Sequence, residues 1–233
     1  VSVDTGVHFV VGTAPVQATN GKVNEVIMAS SYAEAVQALG YSDDWKKYSL
    51  CEEIYTAFTL FNSAQVFFVN VLDPKKHKKT VAAKEMDVAD NQIELPLEAI
   101  AGSVEVTGKT AGEDYEVFYG DTACIVEFLK ETTGKANVKY EAVDPTQVTK
   151  SDIIVSTHKT TGLELINSVF PRFTKVPDLI LCPNWSHDPE VAAVMSAKAE
   201  NINGLFEAEA ILDVDCTEET GAIYYTEVPE WKK

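Results

Sequence analysis

The first third of the chain contains two kinds of apolar pattern. Short apolar runs predict strands, and apolar residues at helical spacing predict helices. Residues 7–12 form a short apolar, β-rich run that is closed by Gly12 and Pro15. Residues 64–72 form a nearly continuous apolar run, which is typical of a central strand covered on both faces. Residues 23–29 predict a further strand. Asn20-Gly21, just before it, favours a turn because both residue types tolerate positive φ.

Two helices are predicted between these strands. Ser30 or Ser31 can cap the first, which ends at Gly40. The second begins near Ser49. Each has one apolar face at helical spacing, formed by Tyr32, Ala35, Val36 and Leu39 in the first helix and by Leu50, Ile54, Ala57, Phe58 and Phe61 in the second.

The pattern changes between residues 81 and 148, where short alternating segments follow one another. Glycines separate these segments, as expected for turns between strands. The predicted strands cover residues 92–97, 103–107, 115–119, 123–129 and 137–141, and the separating glycines are Gly102, Gly108, Gly112, Gly120 and Gly134.

Alternation of strand and helix resumes at Ser151. Asp188 followed by Pro189 predicts a helix start, because Asp188 can cap the helix with its carboxylate and Pro189 suits the first helical position. That helix is expected to end at Gly204. The other predicted elements are strands at 153–155, 177–183 and 205–214, and a helix at 162–170 that is stopped by Pro171.

These patterns predict an α/β fold, with a mostly parallel sheet flanked by helices and an inserted small antiparallel β domain. Residues 1–80 form the first part of the α/β core and residues 81–148 the insertion. Residues 149–233 form the second, truncated part of the core. The chain starts at Val1 in a strand approach and ends straight after a strand-like run, so we interpret it as a fragment.

The charge of the chain argues against anionic partners. It carries 36 acidic and 19 basic residues, a net charge of −17, which repels nucleic-acid phosphates and anionic membranes. No apolar stretch is long enough to span a membrane, and the N-terminus has no signal-peptide pattern. The basic cluster at residues 75–79 is interpreted as a solvated loop, with a docking patch for an acidic partner as the alternative.

Cysteine and histidine spacing predicts no metal site and no disulfide framework. Cys51, Cys124 and Cys182 fall within apolar runs, which is typical of buried, reduced thiols, and Cys216 is distant from all three. The histidines show no ligand spacing; they are His8, His77, His158 and His187. We therefore expect no cofactor and no metal.

The sharpest enzyme-like pattern is Asp213-Val214-Asp215-Cys216-Thr217 at the end of an apolar strand. It resembles the nucleophile loop of haloacid-dehalogenase-like phosphatases, in which the first carboxylate attacks phosphorus and the second is the acid and base. Such enzymes also need a downstream lysine and further magnesium-binding carboxylates. Only 18 residues follow Asp215, with Lys232 and Lys233 at their end and Glu218 and Glu219 too close to supply another strand. We interpret the pattern as a polar loop.

Other catalytic patterns are weaker still. Asp4-Thr5-Gly6 resembles an aspartic-protease motif, but the required second copy is absent and a turn before a strand explains it. Gly-rich phosphate loops and a serine nucleophile elbow do not occur. Trp45, Trp185 and Trp231 are dispersed, which indicates no stacking platform. Nine acidic residues and no Lys or Arg lie between Glu200 and Glu230, as on a solvated or partner-facing surface.

Four segments, in this order, resemble the phage tail sheath family. Residues 6–15 are similar to its opening strand and G-T-A-P type turn, and residues 23–40 to its next strand and short helix that closes with Leu-Gly. Residues 55–71 are similar to its Phe-rich helix and central strand. Residues 177–215 resemble its D-P-E-V helix and A-I-L-D-V strand. Residues 81–148 match the inserted modules of this family only in being β-rich and in their position along the chain.

This resemblance implies a structural, non-catalytic subunit with a core likened to subtilisin in fold but without protease function. Such subunits polymerise around an inner tail tube, and terminal arms donate strands to neighbouring copies. The implied partners are other sheath copies, the tail tube protein, and baseplate and tail terminator proteins. The implied place is the virion tail of a phage or phage-tail-like particle, assembled in the bacterial cytoplasm.

The resemblance also implies that the N-terminal arm and the C-terminal domain are missing, so we expect the fragment to be monomeric or weakly associated. Two other hypotheses remain open at this point. One is a phosphatase-like enzyme that uses Asp213 and Asp215, and the other is a binding module that engages a partner through the β insertion.

Overall fold

The computed structural model describes residues 6–15, 22–63, 65–120, 122–154 and 161–215. These residues fall into two compact units. Unit 1 contains the described residues up to Ala14, those from Lys22 to Val71 and those from Thr149 onward, and unit 2 contains Pro15 and residues 72–148.

Unit 1 has five strands and five α-helices, together with one π-helical and one 3₁₀ segment, among the described residues. The strands are β1 (His8–Gly12), β2 (Val26–Ala29), β3 (Val66–Asn70), β10 (Leu179–Leu181) and β11 (Glu209–Ile211). The helices are α1 (Tyr32–Leu39), α2 (Leu50–Tyr55), α3 (Lys150–Ile154), α4 (Val169–Phe173) and α5 (Pro189–Glu200). The π-helical segment is Thr56–Leu60 and the 3₁₀ segment is Gly162–Ser168.

The sheet of unit 1 is mixed but mostly parallel. Its strand order is β11-β10-β1-β3-β2. The pairs β1/β3, β1/β10 and β10/β11 are parallel, and β2 pairs antiparallel with β3 at one edge. This confirms the predicted sheet type, with β2 as the antiparallel exception.

Both faces of this sheet are covered. On one face Val10 and Phe68 pack with Leu39 of α1 and Ile54 of α2. On the other face Phe67 contacts Phe173 of α4, with ring centroids 5.2 Å apart. All five residues of β3 are buried, as its continuous apolar run predicts.

Unit 2 consists of two antiparallel sheets. One has the order β4-β9-β6 and the other β5-β8-β7. Residues from both sheets form a single apolar core, which includes Ile93, Val126, Phe128 and Val138. The strands are β4 (Lys78–Val88), β5 (Gln92–Leu95), β6 (Glu105–Val106), β7 (Tyr115–Tyr119), β8 (Cys124–Phe128) and β9 (Gly134–Val143), with 3₁₀ turns at Ala101–Ser103 and Pro145–Gln147.

The predicted antiparallel β region is confirmed, but its first and longest strand was missed. β4 pairs with β9 along almost its whole length and is interrupted by a bulge between Val81 and Lys84. Lys78 and Lys79 belong to this strand, so the prediction of a loop over residues 75–79 is wrong for these two. Polar residues dominate β4 because its side chains are mostly exposed, which hides the strand from an apolar pattern.

Two predictions in the second α/β segment are wrong. Residues 153–154 belong to helix α3 instead of a strand, because Thr149 and Asp152 form a cap: the Thr149 N–H and hydroxyl both donate to Asp152 Oδ2, at 2.9 and 3.0 Å. Val155 lies outside the described residues. Pro171 does not stop a helix but lies in the first turn of α4, where its missing N–H would have no helical partner anyway.

Strand β11 is much shorter than the predicted 205–214. A turn precedes it, closed by hydrogen bonds between Ile202 and Phe206 in both directions at 2.8 and 3.0 Å. Asn203 and Gly204 adopt positive φ of 55° and 72° in this turn. Helix α5 consequently ends at Glu200, before Gly204.

No helix within the described part of the chain combines the length and the apolarity that crossing a bilayer requires.

Candidate site at the carboxyl edge of the parallel strands

The carboxyl ends of β1, β3, β10 and β11 lie at one edge of the sheet in unit 1, because these strands are parallel. Strands β3 and β10 lie on opposite sides of β1 in the sheet, so the order of the strands reverses direction beside β1. Ligand sites of open α/β sheets lie at such a switch point, outside the carboxyl ends. The topology therefore predicts that a ligand site of unit 1 would lie at this edge.

Polar groups after β1 are bonded to the segment that leads into α2. The Thr13 N–H donates to Ser49 Oγ at 3.2 Å, and the Ser49 N–H donates to Thr13 Oγ1 at 3.2 Å. The Thr13 hydroxyl donates to the Lys47 carbonyl at 2.8 Å. Since Thr13 and Ser49 are buried, these bonds satisfy groups that would otherwise be costly to bury.

Asn70, at the end of β3, fixes the next residue of the same loop. Its Oδ1 accepts from the Ala14 N–H at 3.1 Å, and its Nδ2 donates to the Ala14 carbonyl at 3.4 Å. Asn70 is fully buried. Backbone and side-chain groups that bind a ligand in other α/β proteins are here used to join loops to each other.

Asp213, the first aspartate of the phosphatase-like pattern, also joins two loops. It lies two residues beyond β11, which is an edge strand among the described residues. Its Oδ2 accepts from the Asn184 N–H at 3.2 Å, and its own N–H donates to Ser186 Oγ at 2.8 Å. Asp213 therefore ties the loop after β11 to the loop after β10.

Several residues named in the sequence-based predictions lie outside the described residues. They are Asp4, Thr5, Asn20, Gly21, His158, Cys216, Thr217, Glu218, Glu219, Trp231, Lys232 and Lys233. Among the described residues, no three His, Cys, Asp or Glu side chains are grouped so as to hold a metal ion.

A row of aromatic side chains beside this edge was not predicted. The rings of Trp45 and Tyr55 are 5.7 Å apart, those of Tyr32 and Tyr41 are 5.5 Å apart, and the indole N–H of Trp45 donates to the Tyr41 hydroxyl at 3.3 Å. We call Tyr32, Tyr41, Trp45 and Tyr55 the aromatic row. The sequence signal for this row is Tyr41, which lies four residues before Trp45.

Glu52 borders the aromatic row. It precedes Tyr55 by three residues on α2, so the two side chains lie on one face of the helix. Its pKa is raised, mainly by burial and then by the negative charges of Asp213 and Glu53. The negative charges of Glu52 and Asp213 therefore act on each other at this edge.

The two buried or half-buried histidines of the described region have structural partners. His8 Nδ1 lies 2.5 Å from Glu53 Oε1, linking β1 to α2. His77 is 2% exposed, and its Nδ1 accepts from the Asp73 N–H at 3.0 Å. The basic cluster around His77 is also engaged: Lys78 Nζ lies 2.6 Å from Glu141 and Lys79 Nζ lies 3.7 Å from Asp144.

The three described cysteines are free and buried, as predicted. Burial raises the pKa of the Cys51 and Cys124 thiols to about 11 and also raises that of Cys182. Because the thiolate is the reactive form, these groups are poor nucleophiles at neutral pH.

At this edge the described loops are therefore hydrogen-bonded to one another through Thr13, Asn70 and Asp213. Over 216 residues the chain is 23% identical to the tail sheath protein of Burkholderia phage BcepMu. The chain is similar in sequence to a phage tail sheath protein. The alignment covers 87% of this chain and 44% of that sheath protein.

A solved sheath tail protein from Listeria innocua matches over 85% of the chain and 45% of its own length, with 12% identity and a TM-score of 0.34. A TM-score of this size does not establish a common fold, so the relation to sheath proteins rests on sequence. No protein-family model matches the chain. The chain spans less than half the length of both sheath proteins.

Proposed function

We propose that this chain is part of a structural subunit of a contractile phage tail sheath. Copies of such a subunit polymerise around an inner tail tube, and the assembled sheath contracts to drive this tube through the target cell envelope. The observation that carries the proposal is the sequence relation to the BcepMu tail sheath protein, which extends over both segments of unit 1 and the β unit between them.

The state of the carboxyl edge supports a role without catalysis. Thr13, Asn70 and Asp213 use their hydrogen-bonding groups to connect loops of the same unit. A haloacid-dehalogenase-like phosphatase needs its first aspartate available for attack on phosphorus, and the comparisons lend that alternative no support. Sheath proteins are structural, so we extend the non-enzymatic role to this chain from its family.

We also propose the domain division and the type of core. Unit 1 forms one subtilisin-like α/β core, and unit 2, which contains the whole of β4, is an inserted β domain. The mostly parallel sheet with helices on both faces supports the core assignment. The separate apolar core of unit 2 supports the insertion.

The proposed partners are other copies of the sheath subunit, the tail tube protein, and the baseplate and tail terminator proteins. The proposed location is the virion tail of a phage or phage-tail-like particle, after assembly in the bacterial cytoplasm. Assembly of many copies distributes binding over many contacts.

An antibody against this chain tests the proposal. In electron micrographs of particles from the source organism, gold-labelled antibody is expected along the outer length of contractile tails. Pre-immune serum is the control. Labelling confined to material other than tails would refute the proposal.

The chain alone is expected to stay monomeric or weakly associated, because it spans less than half the length of the sheath proteins that it matches. Sedimentation velocity measures the association state directly. Long tubes formed by these 233 residues would contradict this prediction.

A further inference from the structure

The aromatic row offers rings to a partner at the surface of unit 1. Tyr32 is 38% exposed and Tyr41, Trp45 and Tyr55 are half-buried. Their ring contacts and the Trp45–Tyr41 hydrogen bond hold them in place. Tyrosine and tryptophan held rigidly at a surface lose little entropy when they bind, and they are enriched at the centres of protein interfaces.

Negative charge lies at both ends of the aromatic row. At one end Glu52 adjoins Tyr55 on α2, and Asp213 is connected to Trp45 through Asn184: the Asn184 side chain donates to the Trp45 carbonyl at 2.8 Å, while its N–H donates to Asp213. At the other end Asp43 helps to raise the pKa of Tyr32 and of Tyr41, after the larger effect of burial.

Lys47 Nζ pairs with Asp44 at 2.8 Å, and Lys46 also acts on Asp44. Glu52 has no cationic partner among the described residues, and the charges that act on it are those of the carboxylates Asp213 and Glu53. A cation placed between Glu52 and Asp213 would relieve their mutual repulsion.

We infer that the aromatic row, with Glu52 and Asp213, is a docking surface for an arginine-bearing segment of a protein partner. A guanidinium group stacks on the face of Trp or Tyr and donates in-plane hydrogen bonds to carboxylates at the same time, which lysine does less well. Phosphate-rich partners are excluded because they would meet like charge.

The arginine comes from outside these 233 residues. The chain contains a single arginine, Arg172, whose guanidinium lies 5.1 Å from the ring centroid of Phe173 in α4. Unit 1 carries a large share of the net negative charge, so two copies of this surface repel each other. The partner is therefore a basic segment of different sequence, and this inference does not depend on the sheath assignment.

Titration with a capped peptide of alternating arginine and serine tests the inference. The wild-type chain is expected to bind it, and a matched lysine–serine peptide is expected to bind more weakly. The double variant Glu52→Gln/Asp213→Asn is expected to bind the arginine peptide about tenfold more weakly. The control is Glu113→Gln/Glu116→Gln, two exposed residues of unit 2, which makes the same charge change and is expected to bind as wild type.

An equal loss of affinity in the control variant would refute the inference, because net charge alone would then explain binding. The second measurement needs no variant: in a nitrogen-15 NMR titration of the wild-type chain the indole N–H resonance of Trp45 is expected to shift. A shift confined to Trp185 or Trp231 would place the peptide elsewhere and would also refute it.

Discussion

At the scale of single residues, Gly12 illustrates how closely the loops pack at the carboxyl edge. A Cβ at this position would overlap Ser49 Oγ and lie 3.2 Å from Leu50 Cδ2. We expect Gly12→Ala to lower the free energy of unfolding by about 1–3 kcal/mol, as overpacked cores do, measured by urea denaturation. Gly102→Ala is the control, since nothing lies within 4 Å of a Cβ there. Equal stability of the two variants would contradict the close packing.

Glu52 gives a pH-dependent prediction. Its folded-state pKa is raised, so ionisation of Glu52 disfavours the fold above that pKa, and the cost disappears as pH falls through it. Glu52→Gln is therefore expected to stabilise the chain at neutral pH, with the gain shrinking in acid. Thermal unfolding across pH measures this difference. A gain that grows in acid would show that the sign is wrong.

Single residues also mark where prediction from sequence stops. Asp213 lies in the loop after β11, and its hydrogen bonds to Asn184 and Ser186 join positions far apart in sequence. The aromatic row likewise depends on tertiary contact between Trp45 and Tyr55. Such groupings are fixed by how elements pack, which local patterns do not encode.

At the scale of elements, capping carries the clearest prediction. Asp188 accepts from the Glu190 N–H at 2.8 Å and also pairs with Lys150 at 3.4 Å. We expect Asp188→Ala to cost about 0.5–2 kcal/mol, measured by chemical denaturation. Glu200→Ala at the far end of α5 is the control and is expected to change little. No loss in Asp188→Ala would mean that the cap is dispensable.

Elements with strong local signals were predicted well. The Ser31 cap and Gly40 end of α1, the Asp188-Pro189 start of α5 and the buried β3 all follow from residue type and period. The second helix was predicted less well, because the π-helical segment shifts its phase. Phe61, expected on the apolar face, is 74% exposed as a result.

At the scale of the whole molecule, unit 2 has the parts of an independent domain. Twelve buried residues from its two sheets and their connections form one core, and its first and last strands, β4 and β9, pair with each other. We expect residues 72–148 expressed alone to fold, giving dispersed NMR spectra and cooperative thermal unfolding. A chain with Val126→Asp in that core is the unfolded control. Spectra of residues 72–148 that match this control would contradict the prediction.

The pairing of β4 with β9 has a consequence for how this chain tolerates change. The Asp144 N–H donates to the His77 carbonyl at 2.9 Å. The start of β4 and the end of β9 therefore lie next to each other. The segment between two adjacent ends acts as a loop of the rest of the protein. The entropic cost of closing such a loop grows only slowly with its length. An insertion or deletion between these ends is therefore expected to change the stability of unit 1 only slightly.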